Sequence, residues 1–273
     1  MTRLLAIAAC ELRIAMRNRW VAIAVAIMSV FALAVTAAGA APTGTLGVDR
    51  LTLAVASLTN LGIYLMPLVA LLISFDAIAG EIERGTLALV LTYPVSRAEI
   101  LGGKFLAHLG VLALASVVGY GLAAGLALWA DPSAGAGLPA LWRLLWSSLL
   151  LGAVFLGIGY ALSARARRPG TAAGLAIAVW LVLVVLYDLA LLAAVVADQG
   201  GSFTTDVFPA LLVANPADAF RLFNLAASEG AALATGIAGA ADTLPTGAAL
   251  ASIVAWPLAA FALAVIAFRR IVP

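Results

Sequence analysis

Long apolar runs separated by short polar stretches recur along the whole chain. Runs close to the ~20 residues that a helix needs to cross ~30 Å of hydrocarbon fall at about 20–40, 51–74, 104–130, 141–163, 171–197 and 247–268. Strands of a membrane barrel would alternate apolar and polar positions, whereas each of these runs is apolar on both faces. The pattern predicts an all-α integral membrane protein with six transmembrane helices in one domain, 1–273.

Before the first run, residues 1–19 carry Arg3, Arg13, Arg17 and Arg19, with Leu5, Leu12 and Met16 at helical spacing roughly opposite Arg13 and Arg17. That arrangement predicts an amphipathic helix in the membrane interface. A secretory signal peptide is the competing reading, and the basic region and the apolar run are both long for one. Pro42 to Arg50 reads as a turn, and Pro67 as a kink within the second span. The third run ends at Asp131-Pro132, where a helix cannot easily continue. From 198 to 246 the chain turns acidic and glycine-bearing, with no run long enough to span. There Asn215-Pro216-Ala-Asp218 reads as a helix start, and Phe203, Phe208, Phe220 and Phe223 call for burial in short surface helices.

The stretch 75–103, between the second and third spans, breaks the apolar rule most sharply. Eight Asp, Glu, Arg, Lys and His residues lie between Asp76 and His108 in a chain that is only 10% charged. Ser96-Arg-Ala-Glu99 has the spacing of a capping box, so the third helix is expected to begin near Ser96, outside the bilayer. Lysine and arginine placement sets the orientation. With six spans, both termini share a side with 75–103 and 164–170, and that side holds twelve of the fifteen basic residues. Both termini and the charged block are therefore expected in the cytoplasm of a bacterial inner-membrane protein, and the 198–246 loop in the periplasm.

Composition narrows the chemistry. A mean hydropathy of +1.15 is outside the soluble range. One cysteine, one histidine and four methionines argue against a transition-metal site in this chain. Met28 and Met66 read as packing residues, because a Cu(I) path needs clustered soft ligands. Asp76, Glu81 and Glu83 are more simply solvated or paired with Arg84 than metal-bound. His108, one helical turn beyond Lys104, reads as a hydrogen-bonded packing residue. Asp188 is either an intramembrane carboxylate facing a cavity or partner, or an outer headgroup residue if the fifth span ends near Tyr187. His108 and Asp188 are thus the two candidate intramembrane polar groups. Gly121/Gly125 and Gly170/Gly174 have the small-xxx-small spacing of helix contacts.

Glu81-Ile-Glu83-Arg84-Gly85-Thr86-Leu87, then Pro94-Val-Ser96-Arg97 and Gly103-Lys104-Phe105, resembles the loop after the second helix of ABC-2 type permeases. These are the membrane subunits of one class of ABC transporter, and the topology resembles theirs over the whole chain, in the type V exporter-like form. The resemblance implies a homodimer bound on the cytoplasmic side by two ATPase subunits, with ATP and Mg on those partners and no cofactor in this chain. It also implies that the loop seats a coupling helix in the ATPase through Glu81, Glu83, Arg84, Gly85 and Thr86. Asp76, Pro94, Ser96, Arg97, Glu99 and Lys104 support that loop. A narrower likeness, in Arg17-Asn-Arg-Trp20, Tyr64-Leu-Met-Pro-Leu68, Phe75–Glu81 and Leu91-Thr-Tyr-Pro94, is to permeases serving copper-site assembly of nitrous oxide reductase, which work with a periplasmic partner. A general ABC-2 exporter of a lipid or drug-like substrate would share the same loop. No catalytic residue is expected: in the nearest approach to the phosphate-binding pattern G-x-x-x-x-G-K-[ST], Ala98 replaces the first glycine and Phe105 the hydroxyl. Nothing in the pattern points to nucleic acid.

Overall fold

The computed structural model describes residues 2–17, 19–38, 49–166, 168–226 and 246–271. The regular elements among the described residues are all helical. α1 (Thr2–Ala15) leads into the first span, α2 (Arg19–Ala38), and α3 (Arg50–Ser74) is the second. Two short helices follow, α4 (Asp76–Glu83) and α5 (Thr86–Val90). α6 (Arg97–Ala130) and α7 (Leu138–Ala166) are joined by a 3₁₀ segment, Pro132–Gly137. The fifth span is α8 (Pro169–Trp180), a widened turn over Leu181–Leu186, and α9 (Tyr187–Asp198). α10 (Phe208–Ala214) and α11 (Pro216–Ala226) precede the last span, α12 (Thr246–Arg269). Among the described residues, six helices are thus long and apolar enough to cross a membrane.

Several boundaries differ from the sequence reading. The block 75–103 is helical over much of its length, since Phe75 keeps helical geometry and its N–H reaches Leu71 O at 2.9 Å, so α3 runs almost unbroken into α4. The third long helix starts at Arg97, directly after the Ser96 cap as the capping box predicts, and Asp131 caps the next segment by accepting from the Ser133 amide at 2.9 Å. Gly39, Ala40, the turn from Pro42, Arg167 and the loop from residue 227 to 245 lie outside the described residues.

α7 is the axis of the bundle: 72% of its apolar window is buried, against 11% for the fifth span. Backbone proximity explains how its neighbours pack so closely. A Cβ on Gly157 would lie 2.7 Å from the Ala260 carbonyl carbon of α12, and one on Gly119 of α6 would lie 3.3 Å from the Met28 backbone of α2. Tyr120, Phe155, Tyr160, Phe220 and Phe268 are fully buried. Phe220 carries α11 into the far end of the bundle, and Phe223 meets Trp146 edge-on at 5.3 Å. α11 is therefore part of the core. Leu5 and Leu12 of α1 and Met16 just after it remain exposed, while Ile7 and Ala8 pack against Gly103 of α6, so α1 lies between the bundle and its surroundings.

Candidate coupling site

The end of the bundle that gathers most of the arginines is built around the α3–α4 junction. The first amides of a helix have no partner within it. In α4, two of them, Ile78 N and Ala79 N, donate to the Ser163 hydroxyl of α7 at 3.0 and 2.9 Å. Ser163 is fully buried, and Ser74 sits against Gly159 one turn earlier on α7. The start of α4 is thereby fixed to the axis helix.

One face of α4 turns inward. The Lys104 ammonium, 5% exposed on α6, donates to Glu81 of α4 at 2.6 Å and to Glu11 of α1 at 2.7 Å. A cation so buried must be paired, and its two partners come from two other helices. One cation between two carboxylates leaves a net charge of −1, and Glu81 Oε2 is buried without a donor. On the neighbouring face, Asp76 and Arg84 meet at 3.4 Å across Gly80, where a Cβ would collide with both side chains.

The other face of the α4–α5 unit is open. Glu83, Arg84, Gly85 and Thr86 are exposed. Gly85, at φ 71° and ψ 5°, takes the left-handed conformation that reverses the chain into α5. Leu87 folds inward, while Leu89 and Tyr93 are 63% and 62% exposed beyond the bend.

Past the bend, Ser96 Oγ accepts from Glu99 N at 3.2 Å and Glu99 accepts from Ser96 N at 2.8 Å, forming the capping box. Arg97 donates to the Phe268, Arg269 and Ile271 carbonyls at 3.0, 3.2 and 2.6 Å, closing the end of α12. Arg3 donates to Pro94 O at 2.8 Å. The segment 76–104 is thus tied to α1, α6, α7 and α12, and a displacement of its tip reaches each through a named bond.

The sequence-predicted residues sort unevenly on this framework. Glu83, Arg84, Gly85 and Thr86 form an outer surface, whereas Glu81 does not share it, because Lys104 draws it inward. Pro94, Ser96, Arg97, Glu99 and Lys104 hold the segment in place. Asp76 lies beside Arg84. His108 belongs to the interior, its Nδ1 2.6 Å from the Tyr160 hydroxyl and the two rings stacked. Among the described residues no three His, Cys, Asp or Glu side chains come together to hold a metal. Glu11 and Ser163 were missed by sequence reasoning, since both act on partners more than 80 residues away.

Asp188 has its partner away from this charged segment, beside Tyr64 in the middle of α3. Arg221 of α11 grips it in a two-pronged pair at 3.0 and 2.8 Å and also donates to Asp218 at 2.6 Å. Burial pushes the Asp218 carboxyl up to about 7; Arg221 opposes this and the charge of Asp188 adds to it. Asn215 caps α11 by accepting from Ala217 N at 2.8 Å, and its amide donates to Leu183 O in the widened turn, also at 2.8 Å. There the Tyr187 amide reaches five residues back to Val182. α11 therefore fastens the fifth span to the core.

The family model described as "ABC-2 family transporter protein" matches residues 5–271. The chain is 45% identical over 268 residues to a protein of Pseudomonas aeruginosa named "Probable ABC transporter permease protein NosY", covering 97% of each chain. It is 42% identical to a protein of the same name from Stutzerimonas stutzeri, again over 97% of each. With one match running from residue 5 to residue 271 and likeness to these relatives over nearly their whole length, the chain belongs to the ABC-2 family of transporter proteins.

Proposed function

We propose that this chain is the permease subunit of an inner-membrane ABC transporter, coupling cytoplasmic ATP hydrolysis by a partner ATPase to a periplasmic event, the copper-site assembly of nitrous oxide reductase. The observation that carries the coupling role is the division of α4 and α5 into an anchored face and an open one. Glu81 and the amides of Ile78 and Ala79 are spent inward. Glu83, Arg84, Thr86, Leu89 and Tyr93 are left for a partner. Charged side chains around a small apolar pair suit a protein interface, with the apolar pair as anchor.

Twelve of fifteen basic residues on one side favour cytoplasmic termini and a cytoplasmic coupling segment. Two NosF-like ATPases would then bind from inside, each carrying its own ATP and Mg. The permease would be a homodimer in which Gly121, Gly125, Gly170 and Gly174, each with open space at its Cβ position, lie available to the second copy. A NosD-like partner would engage the periplasmic end, near α10 and α11. The copper reading rests on the NosY name of the two relatives. In this reading the permease moves rather than catalyses, and ATP binding drives a rigid-body rearrangement.

The test is the pair Glu83→Lys with Arg84→Glu in the complete complex. Loss of the ATPase on co-purification, together with a copper-deficient reductase in the host, is expected. Retention of both would refute the coupling assignment. A normal reductase in a strain lacking the permease would favour the other reading, a general ABC-2 exporter of a lipid or drug-like substrate, which the open α4–α5 face fits equally well.

A further inference from the structure

A cavity of about 400 Å³ opens beside α4, where the apolar spans give way to the charged segment. It is of the size that holds small ligands. Its apolar wall is Ile14, Val21, Leu72, Ile73 and Phe75, and its polar floor is Glu11, Asp76, Glu81, Arg84, Lys104 and His108. A cavity with one greasy wall and one ionic floor at the edge of a membrane-spanning bundle suits an amphiphile that enters from the bilayer. Ile14 and Leu72, at 60% and 45% exposed, stand on the outer rim.

The floor specifies the headgroup. Lys104 is consumed by Glu11 and Glu81 at 2.7 and 2.6 Å. Asp76 and Arg84 are held less tightly, at 3.4 Å, with their side chains 44% and 57% exposed. An anion and a cation side by side, each with hydrogen-bonding capacity left, are complementary to a zwitterion: the ammonium goes to Asp76 and the phosphate to Arg84. Three carboxylates against two cations give the floor an excess negative charge, and Glu81 keeps one buried oxygen without a donor. The floor therefore favours a donor-bearing primary ammonium and repels a headgroup that brings only negative charge.

We infer that this cavity seats a phospholipid whose headgroup carries a primary ammonium, of the phosphatidylethanolamine class, with its acyl chains against Leu72, Ile73 and Val21. The membrane setting follows from the six spans. Only the leaflet, the inner one, rests on the orientation proposed above. A lipid seated here touches α1, α4 and α6 together, so its presence would bear on the motion of α4.

The experiment uses the purified permease–ATPase complex, delipidated and titrated with phosphatidylethanolamine, phosphatidylcholine or phosphatidylglycerol of identical chains, with bound lipid counted by native mass spectrometry. Phosphatidylethanolamine is expected to be retained at least five-fold over the other two. Asp76→Asn with Arg84→Gln should abolish the preference, and Leu72→Trp, which blocks the apolar rim, should lower retention of all three. Equal retention of the three lipids, a preference for phosphatidylglycerol, or a preference that survives both variants would overturn the proposal. Displacement of the lipid by an equal concentration of free phosphoethanolamine would overturn the lipid as source. ATPase co-purification is scored on the same samples: because Arg84 also belongs to the open α4–α5 face, retention of the ATPase by the Asp76→Asn, Arg84→Gln variant with the lipid preference abolished would count against the coupling reading alone.

Discussion

Replacing Lys104 with methionine removes the one cation that joins α1, α4 and α6. At 2.6 and 2.7 Å each attraction is on the order of 6 kcal/mol at an effective dielectric near 20, but desolvation of all three groups and repulsion between the carboxylates offset much of it. What the variant registers is the cost of leaving Glu11 and Glu81 facing each other with no cation between them. Breaking a buried pair in this way costs about 3–5 kcal/mol. For a chain of this size that corresponds to a fall of roughly 6–20 °C in melting temperature. The assay is the thermal unfolding of the purified permease in detergent, with Lys104→Met compared to the triple variant that adds Glu11→Gln and Glu81→Gln. Since the loss comes from stranded charge, the triple variant should recover most of it. A fall of less than 2 °C in the single variant, or no recovery in the triple, would refute the reasoning.

Gly85→Ala forces a Cβ into the left-handed region at φ 71° with no neighbour within 4 Å, so the loss is conformational only, about 1–2 kcal/mol by denaturant or thermal titration. Leu89→Ala with Tyr93→Ala leaves the melting temperature unchanged, because both side chains are exposed, yet weakens ATPase binding at least ten-fold in a titration of permease with ATPase. For Asp218 the sign is worked from its carboxyl being pushed up to about 7: the folded state holds this proton more firmly than the unfolded one. Its contribution to stability is therefore complete below the ordinary carboxylate range and declines as pH rises toward 7. Melting curves between pH 5 and 8 should show this decline, and Asp218→Asn should flatten it.

The spans were legible because hydrocarbon imposes a length and an apolar composition that few other segments meet, and the capping box was legible because Ser96 and Glu99 lie within one turn. The extents of α4 and α5 were not, beyond the one short helix that the resemblance implied, since α4 is too short to show a period and is held by Ser163, a contact between residues 84 and 85 positions apart. Glu81 and Glu83 looked equivalent as letters. Only the third dimension separates them, through a lysine that arrives from α6. Asp188 gave the same lesson: the sequence offered no partner for it, and only the fold brings Arg221, 33 residues away, to grip it.

The clasp of Ser163 on α4 makes this segment intolerant of changes in length. An added or deleted residue between Phe75 and Glu81 would rotate everything downstream by about 100°. Either the Ser163 hydroxyl would lose the amides it holds, or Glu81 would swing off Lys104 and drag Glu83 toward lipid. Homologous chains can vary widely in side chain here, but their alignment through this stretch should run without gaps, while gaps gather in the loops on the opposite side.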